Sequence, residues 1–190
     1  MTRQAGRITM GRLIAVVGPS GVGKDSVMQG IVARMPKMHL VRRVITRAPD
    51  LGGEDYDAVS EQSFRDMVKN AAFALHWRAH GLSYGLPQNV RQPLNAGTDC
   101  LANFSRRALQ AGAAAFPNFV VLNITAQPQT LAARLAARGR ESEAEIAMRL
   151  AGADTPLPEG LDVITVSNDG PLDETISRAV ACLQPLGVSQ

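Results

Sequence analysis

Apolar and polar positions along the chain follow two rhythms. A β-branched run, Leu13–Val17, stops at Gly18, and over Lys24–Met35 the apolar residues Val27, Met28, Ile31, Val32 and Met35 recur at helical spacing. A short apolar run reads as a buried strand and the spaced set as a helix hiding one face, so the segment predicts strand, loop, helix. The same alternation returns three times: Cys100–Phe104 before a helix starting near Ser105, Phe119–Ile124 before one near Pro128, and Leu161–Val166 before a terminal helix from about Pro171. Strands alternating with helices predict an α/β fold with a parallel sheet covered by helices on both faces. Between Ala48 and Pro93 the rhythm breaks into a Gly-rich acidic loop, a short helix over Ser60–Asn70 and two extended pieces, Ala72–Arg78 and Leu82–Tyr84. That break predicts a subdomain, residues 48–93, inserted over the sheet. Residues 1–12 read as a polar tail ahead of a single domain over 13–190.

Length and composition narrow this picture. A chain of 190 residues, 45% hydrophobic and 19% charged, suits one globular domain and excludes a disordered or fibrous protein. The net charge of +3 is carried by 17 Arg and three Lys against 17 acids, and these cations are spread along the chain rather than clustered. Such a distribution argues against a nucleic-acid partner and fits a small phosphorylated ligand better. The two cysteines, Cys100 and Cys182, sit in apolar segments without a second Cys or a His at metal spacing, which argues against a disulfide framework or a zinc site. No apolar run approaches the roughly 18 residues that span a bilayer. The expectation is a cytoplasmic protein with no membrane partner, its oligomeric state left open.

The candidate chemistry begins at Gly18-Pro19-Ser20-Gly21-Val22-Gly23-Lys24, placed where a strand ends and a helix begins. Glycines let the backbone wrap with its N–H groups pointing inward, the helix N-terminus adds partial positive charge, and the Lys ammonium reaches phosphate oxygens. Together they form an anion cradle. Where the usual pattern ends in Ser or Thr, this chain has Asp25 followed by Ser26, and a carboxylate there can hold Mg2+ directly or through water. The three histidines, His39, His76 and His80, have no triad-like setting and read as structural.

With Ile45-Thr46-Arg47, Tyr56-Asp57-Ala58-Val59-Ser60, Phe64, Phe73, His80-Gly81, Tyr84-Gly85, Arg134-Leu135-Ala136-Ala137-Arg138-Gly139, Ile146, Arg149-Leu150 and Ser167-Asn168-Asp169, the loop resembles the guanylate-kinase-like nucleoside and sugar phosphate kinases over nearly the whole chain. The resemblance implies a P-loop kinase with ATP as co-substrate and Mg2+ as cofactor. It further implies a helical lid over residues 134–152, with Arg134 and Asn168 beside ATP, and with Arg138 and Arg149 joining Lys24 around the transferring phosphate. On the acceptor side it implies roles for Arg43, Arg47, Tyr56, Tyr84, Asn103, Ser105 and Arg106.

Departures from the family pattern change the expected acceptor. The Glu and Ser/Thr that read a guanine are Leu75 and Leu86 here, and a site built to hydrogen-bond a base loses about 1–3 kcal/mol for each buried polar group left unpaired. A family Ser becomes Arg43, two acidic positions become Asn103 and Ser105, and a second arginine becomes Asp50. Neutral donors and cations in place of acids suit a ligand with more phosphate and no base. Gly23-Lys24-Asp25-Ser26, Ile45-Thr46-Arg47, Asn103-Phe104-Ser105-Arg106, Arg138-Gly139-Arg140-Glu141 and Asn168-Asp169-Gly170 together resemble the branch that phosphorylates the 1-phosphate of ribose 1,5-bisphosphate to 5-phosphoribosyl 1-diphosphate (PRPP) in bacterial phosphonate breakdown. Two other readings stay open at this point, a guanylate or other nucleoside monophosphate kinase and a non-catalytic binding module of the same fold.

Overall fold

A computed structural model describes residues 10–48, 54–139, 146–148, 150 and 156–184. The predicted strand and helix alternation is present. Strand β1 (Leu13–Val17) leads to α1 (Lys24–Arg34), then β2 (His39–Leu40), β3 (Arg43–Ile45), β4 (Tyr56–Ala58), α2 (Glu61–Lys69), β5 (Phe73–Ala79) and β6 (Leu82–Pro87). After these come α3 (Arg91–Asn95), β7 (Cys100–Asn103), α4 (Leu109–Ala115), β8 (Phe119–Thr125), α5 (Pro128–Arg138), β9 (Val163–Ser167) and α6 (Leu172–Leu183).

The main sheet has the order β2-β7-β1-β8-β9, with every pair parallel. All five residues of β1 are fully buried. Their side chains alternate: Ile14 and Val16 join Ile31, Leu131 and Ile176 on one side, while Leu13, Ala15 and Val17 join Leu94, Leu109 and Phe116 on the other. A strand covered on both faces has no polar side to show, which is why its sequence reads as an unbroken apolar run. Each such side chain contributes roughly 1.5–3 kcal/mol relative to an exposed position.

A second sheet, β4-β3-β6-β5, lies where the rhythm breaks, with β5 and β6 forming an antiparallel hairpin. This sheet takes in Arg43–Ile45, ahead of the expected start of the inserted subdomain. The hairpin turns through His80 and Gly81, both at positive φ (51° and 75°), the two-residue geometry that matches strand twist. Helix α2 starts as expected, its N-cap Ser60 side chain accepting from Ser63 N–H at 3.0 Å.

Three boundaries differ from the sequence expectation. Gly11 and Arg12 belong to the packed domain rather than to a polar tail. The Arg12 guanidinium donates to Asp99 and to the Leu183 carbonyl, and a Cβ on Gly11 would lie 2.0 Å from the Thr98 carbonyl oxygen. Residues 1–9 of that tail lie outside the described residues. Helix α4 begins at Leu109, after a tight turn over Arg106–Ala108, and the last strand starts at Val163. Strand β2 was not foreseen: its two residues are exposed, and backbone bonds such as His39 N–H to Asp99 O (2.9 Å) hold it without any side-chain pattern.

Candidate active site

The glycine loop between β1 and α1 adopts the form its sequence predicts. Gly21 and Gly23 sit at φ 83° and 87°, a region other residues enter only with strain, and Gly23 caps α1. Two contacts brace the loop from outside: the Asn168 side chain donates to the Val22 carbonyl at 2.7 Å, and Arg134 reaches the same oxygen at 3.4 Å. Asn168 is buried, and its own loop is pinned by Asp169, which accepts from Gln127 N–H, Thr130 and Ser167. The Ser167 hydroxyl, with these other donors, holds the Asp169 carboxyl below its usual range.

Lys24 folds back on the loop and donates to the carbonyls of Gly18 (2.9 Å) and Pro19 (3.3 Å). Burial lowers its ammonium from the ordinary 10.5 to about 8; Asp25 and Glu54 partly oppose this, while Arg43 and Arg106 add to it. Asp25 follows in the first turn of α1, and its Oδ1 is buried without a hydrogen-bond partner among the described residues. Ser26 is exposed.

From this loop a cleft of about 650 Å3 runs under the second sheet. Gly18, Pro19, Ser20 and Lys24 line its donor end, and Arg43, Arg47, Tyr84, Asn103, Ser105 and Arg106 line the rest, so three β-strands and the turn after β7 bring the expected acceptor residues together. Lys24, Arg43, Arg47, Arg106 and Arg107 put five cations into the lining, which contains no carboxylate among the described residues. Arg43 is 5% exposed; its guanidinium lies over the rings of Tyr84 (4.9 Å) and Trp77 (5.7 Å) and is ion-paired with Glu54. The other oxygen of Glu54 accepts from Asn103 Nδ2 at 2.9 Å, so one carboxylate orients two lining residues from behind. The Ser105 hydroxyl accepts from Trp77 Nε1 at 2.9 Å.

Tyr56 is not in the lining. Its hydroxyl donates to the Ala48 carbonyl at 2.7 Å and its ring lies 5.6 Å from the Arg47 guanidinium, which makes it a support for Arg47. Asp25 faces a smaller neighbouring cavity shared with Arg42, Glu54 and Asp55. Arg149, Arg140, Glu141, Asp50 and the Arg138 side chain lie outside the described residues, so no side-chain position is described for the lid arginines Arg138, Arg140 and Arg149. His80, read from the sequence as structural, and Arg107 line the cleft, and Glu54 and Trp77 back it; none of the four was among the expected site residues. Arg107 carried a signal beside Arg106, whereas nothing local marks Glu54, whose partner Asn103 is 49 residues away.

A parallel sheet with a glycine loop and lysine after its central strand, and a second sheet closing a cation-lined cleft, define a P-loop phosphotransferase. The guanylate kinase family model matches residues 10–184, and the chain belongs to that family. Within it, the chain is 51% identical to ribose 1,5-bisphosphate phosphokinase PhnN of Ruegeria sp. (strain TM1040), over 92% of both chains, and 43% identical to the protein of that name from Agrobacterium fabrum, over 90% of this chain and 96% of that one. The fold is that of a guanylate kinase from Anaplasma phagocytophilum, with a TM-score of 0.63 at 19% identity over 92% of this chain and 85% of that one.

Proposed function

We propose that this protein transfers the γ-phosphoryl group of ATP to the 1-phosphate of ribose 1,5-bisphosphate, giving PRPP and ADP, as a cytoplasmic step in phosphonate breakdown. The observation that carries the reading is the cleft itself: among the described residues, five cations and no carboxylate line one continuous space from the phosphate loop to the acceptor wall. The two positions expected to read a base are apolar. Leu75 and Leu86 face each other across β5 and β6 and pack into the core, Leu86 fully buried. The names borne by the relatives point the same way.

The nucleophile is an oxygen of the acceptor 1-phosphate, already ionised near neutral pH, so no side chain has to take a proton. It attacks the γ-phosphorus as the bond to the β–γ bridging oxygen breaks, and ADP leaves with that electron pair. What remains for the protein is to hold two anions in line and to neutralise the charge spread over the transferring group. Lys24 exchanges its two loop carbonyls for phosphate oxygens at the donor. Arg43, fixed by Glu54 and two aromatic rings, acts with Arg47, Arg106, Asn103 and Ser105 on the acceptor phosphates. Asp25, with its unpartnered buried oxygen, is the residue fitted to hold Mg2+, which when bound supplies further neutralisation of the donor phosphates. Arg138 and Arg149 of the lid are assigned to the transferring phosphate, and Arg134 and Asn168 to the ATP side.

The test supplies ATP and Mg2+ with ribose 1,5-bisphosphate, ribose 5-phosphate or GMP in turn and follows PRPP and ADP. Formation of PRPP from the bisphosphate alone is expected. Turnover of GMP without any PRPP would overturn the assignment in favour of a nucleoside monophosphate kinase, and Lys24-independent activity would remove the phosphate loop from the mechanism.

A further inference from the structure

The acceptor wall contains a stack of aromatic rings, two of which also carry the Arg43 guanidinium. Trp77 projects from β5, opposite Tyr84 of β6 in the hairpin register. Its indole stacks on Tyr84 with centroids 5.6 Å apart and planes 9° apart, and on Phe104 at 5.1 Å and 19°. Near-parallel rings at these separations are offset stacks, a favourable arrangement for aromatic pairs. Trp77 is common to both stacks. Its one polar group is satisfied by the Ser105 hydroxyl, and the Arg43 guanidinium lies over it. Tyr84, Phe104, Ser105 and Arg43 all line the cleft, while Trp77 is not among the lining residues.

These are the contacts by which a protein holds a planar nitrogen heterocycle: rings to stack on, a cation over the π face and a hydroxyl for the ring N–H. Here the chain supplies the heterocycle. We propose that the Trp77 indole occupies the slot a nucleobase would need, and so is the specificity-determining residue that restricts this acceptor site to phosphorylated sugars without a base. The inference rests on reading this end of the cleft as the acceptor side. It is distinct from the loss of base contacts at Leu75 and Leu86, because missing hydrogen bonds weaken base binding whereas a filled slot blocks it.

Trp77 is the only tryptophan in the chain, so its emission reports on the slot in the unaltered protein. A wild-type titration with GMP is expected to leave that emission unchanged; a saturable shift would mean that a base enters the stack, and would overturn the proposal. The companion experiment compares Trp77→Leu and Trp77→Phe with wild type, after circular dichroism has established that each is folded. The readout is the ratio of GMP to ribose 1,5-bisphosphate turnover, with GMP binding measured separately. Trp77→Leu removes the planar ring and is expected to raise the ratio at least tenfold and to bind GMP, whereas Trp77→Phe keeps a ring in the stack and stays near wild type. A folded Trp77→Leu with no gain in GMP binding would overturn the proposal and reduce Trp77 to packing. Should Trp77→Leu fail to fold, the wild-type titration decides. Should wild type make no PRPP, the substrate assignment falls, while gain or absence of GMP binding in Trp77→Leu still decides this point.

Discussion

Binding of ATP above neutral pH is expected to take up a proton at Lys24. In the free protein, burial holds this ammonium at about 8, well below its ordinary 10.5. Triphosphate oxygens arriving at the Nζ favour the charged form and return the group to its ordinary range or above it. At pH 9, one unit above the free value, about a tenth of Lys24 is protonated before binding and nearly all of it afterwards, so the complex gains about 0.9 proton. At pH 7 about nine-tenths is already protonated and the gain falls to about 0.1 proton. The ATP phosphates are fully ionised at pH 9 and release nothing to mask the uptake. Calorimetry in buffers of different ionisation enthalpy reads the number directly as the slope of binding enthalpy against that enthalpy. By the same linkage the dissociation constant rises about fivefold from pH 8 to 9 and approaches tenfold per unit above that, up to the bound-state value, and Lys24→Met abolishes both effects. The sign for folding agrees: a lowered Lys value means that the unfolded chain binds more protons between pH 8 and 10.5, so the free protein gains stability from this group as pH rises through that window. A wild-type slope of zero at pH 9 would refute the reasoning, since it would mean that Lys24 is already charged in the free protein.

Arg43→Met should lower stability by about 3 kcal/mol or more in urea denaturation, because it leaves the Glu54 carboxylate, itself only 14% exposed, without its cation; adding Glu54→Met should recover most of the loss. No recovery in the double variant would show that the loss is one of packing. Gly30→Ala places a Cβ 2.1 Å from the Ile176 Cδ1 where α1 meets α6, and should cost about 1–3 kcal/mol, with Ile176→Val partly relieving it; a neutral Gly30→Ala would refute this close approach. Asp25→Ala should raise the Mg2+ concentration needed for half-maximal turnover several-fold, and an unchanged Mg2+ dependence would remove Asp25 from the metal site.

What could be read from the sequence is what neighbouring residues decide. Leu13–Val17, the glycines at 18, 21 and 23, and Lys24 are adjacent in the chain. Strand end, left-handed turns, helix start and ammonium are therefore determined within twelve residues, and the loop takes the expected form. The helices α1, α5 and α6 were legible because their inward positions recur at helical spacing. Arg43, Arg47, Asn103, Ser105 and Arg106 were found through the resemblance, each at a strand or its exit, but their convergence could not be seen in the chain. Only the tertiary structure decided how those cations are held. Laying the β4-β3-β6-β5 sheet over the C-terminal end of β7 brings Glu54 between Arg43 and Asn103 and sets Trp77 against both Tyr84 and Phe104. Glu54 stands in a Gly-rich acidic loop and Trp77 in an extended piece, and nothing local marks either for its role. Such roles depend on contacts between elements far apart in the chain, made only when two sheets pack together, and no periodicity or spacing within one segment encodes them.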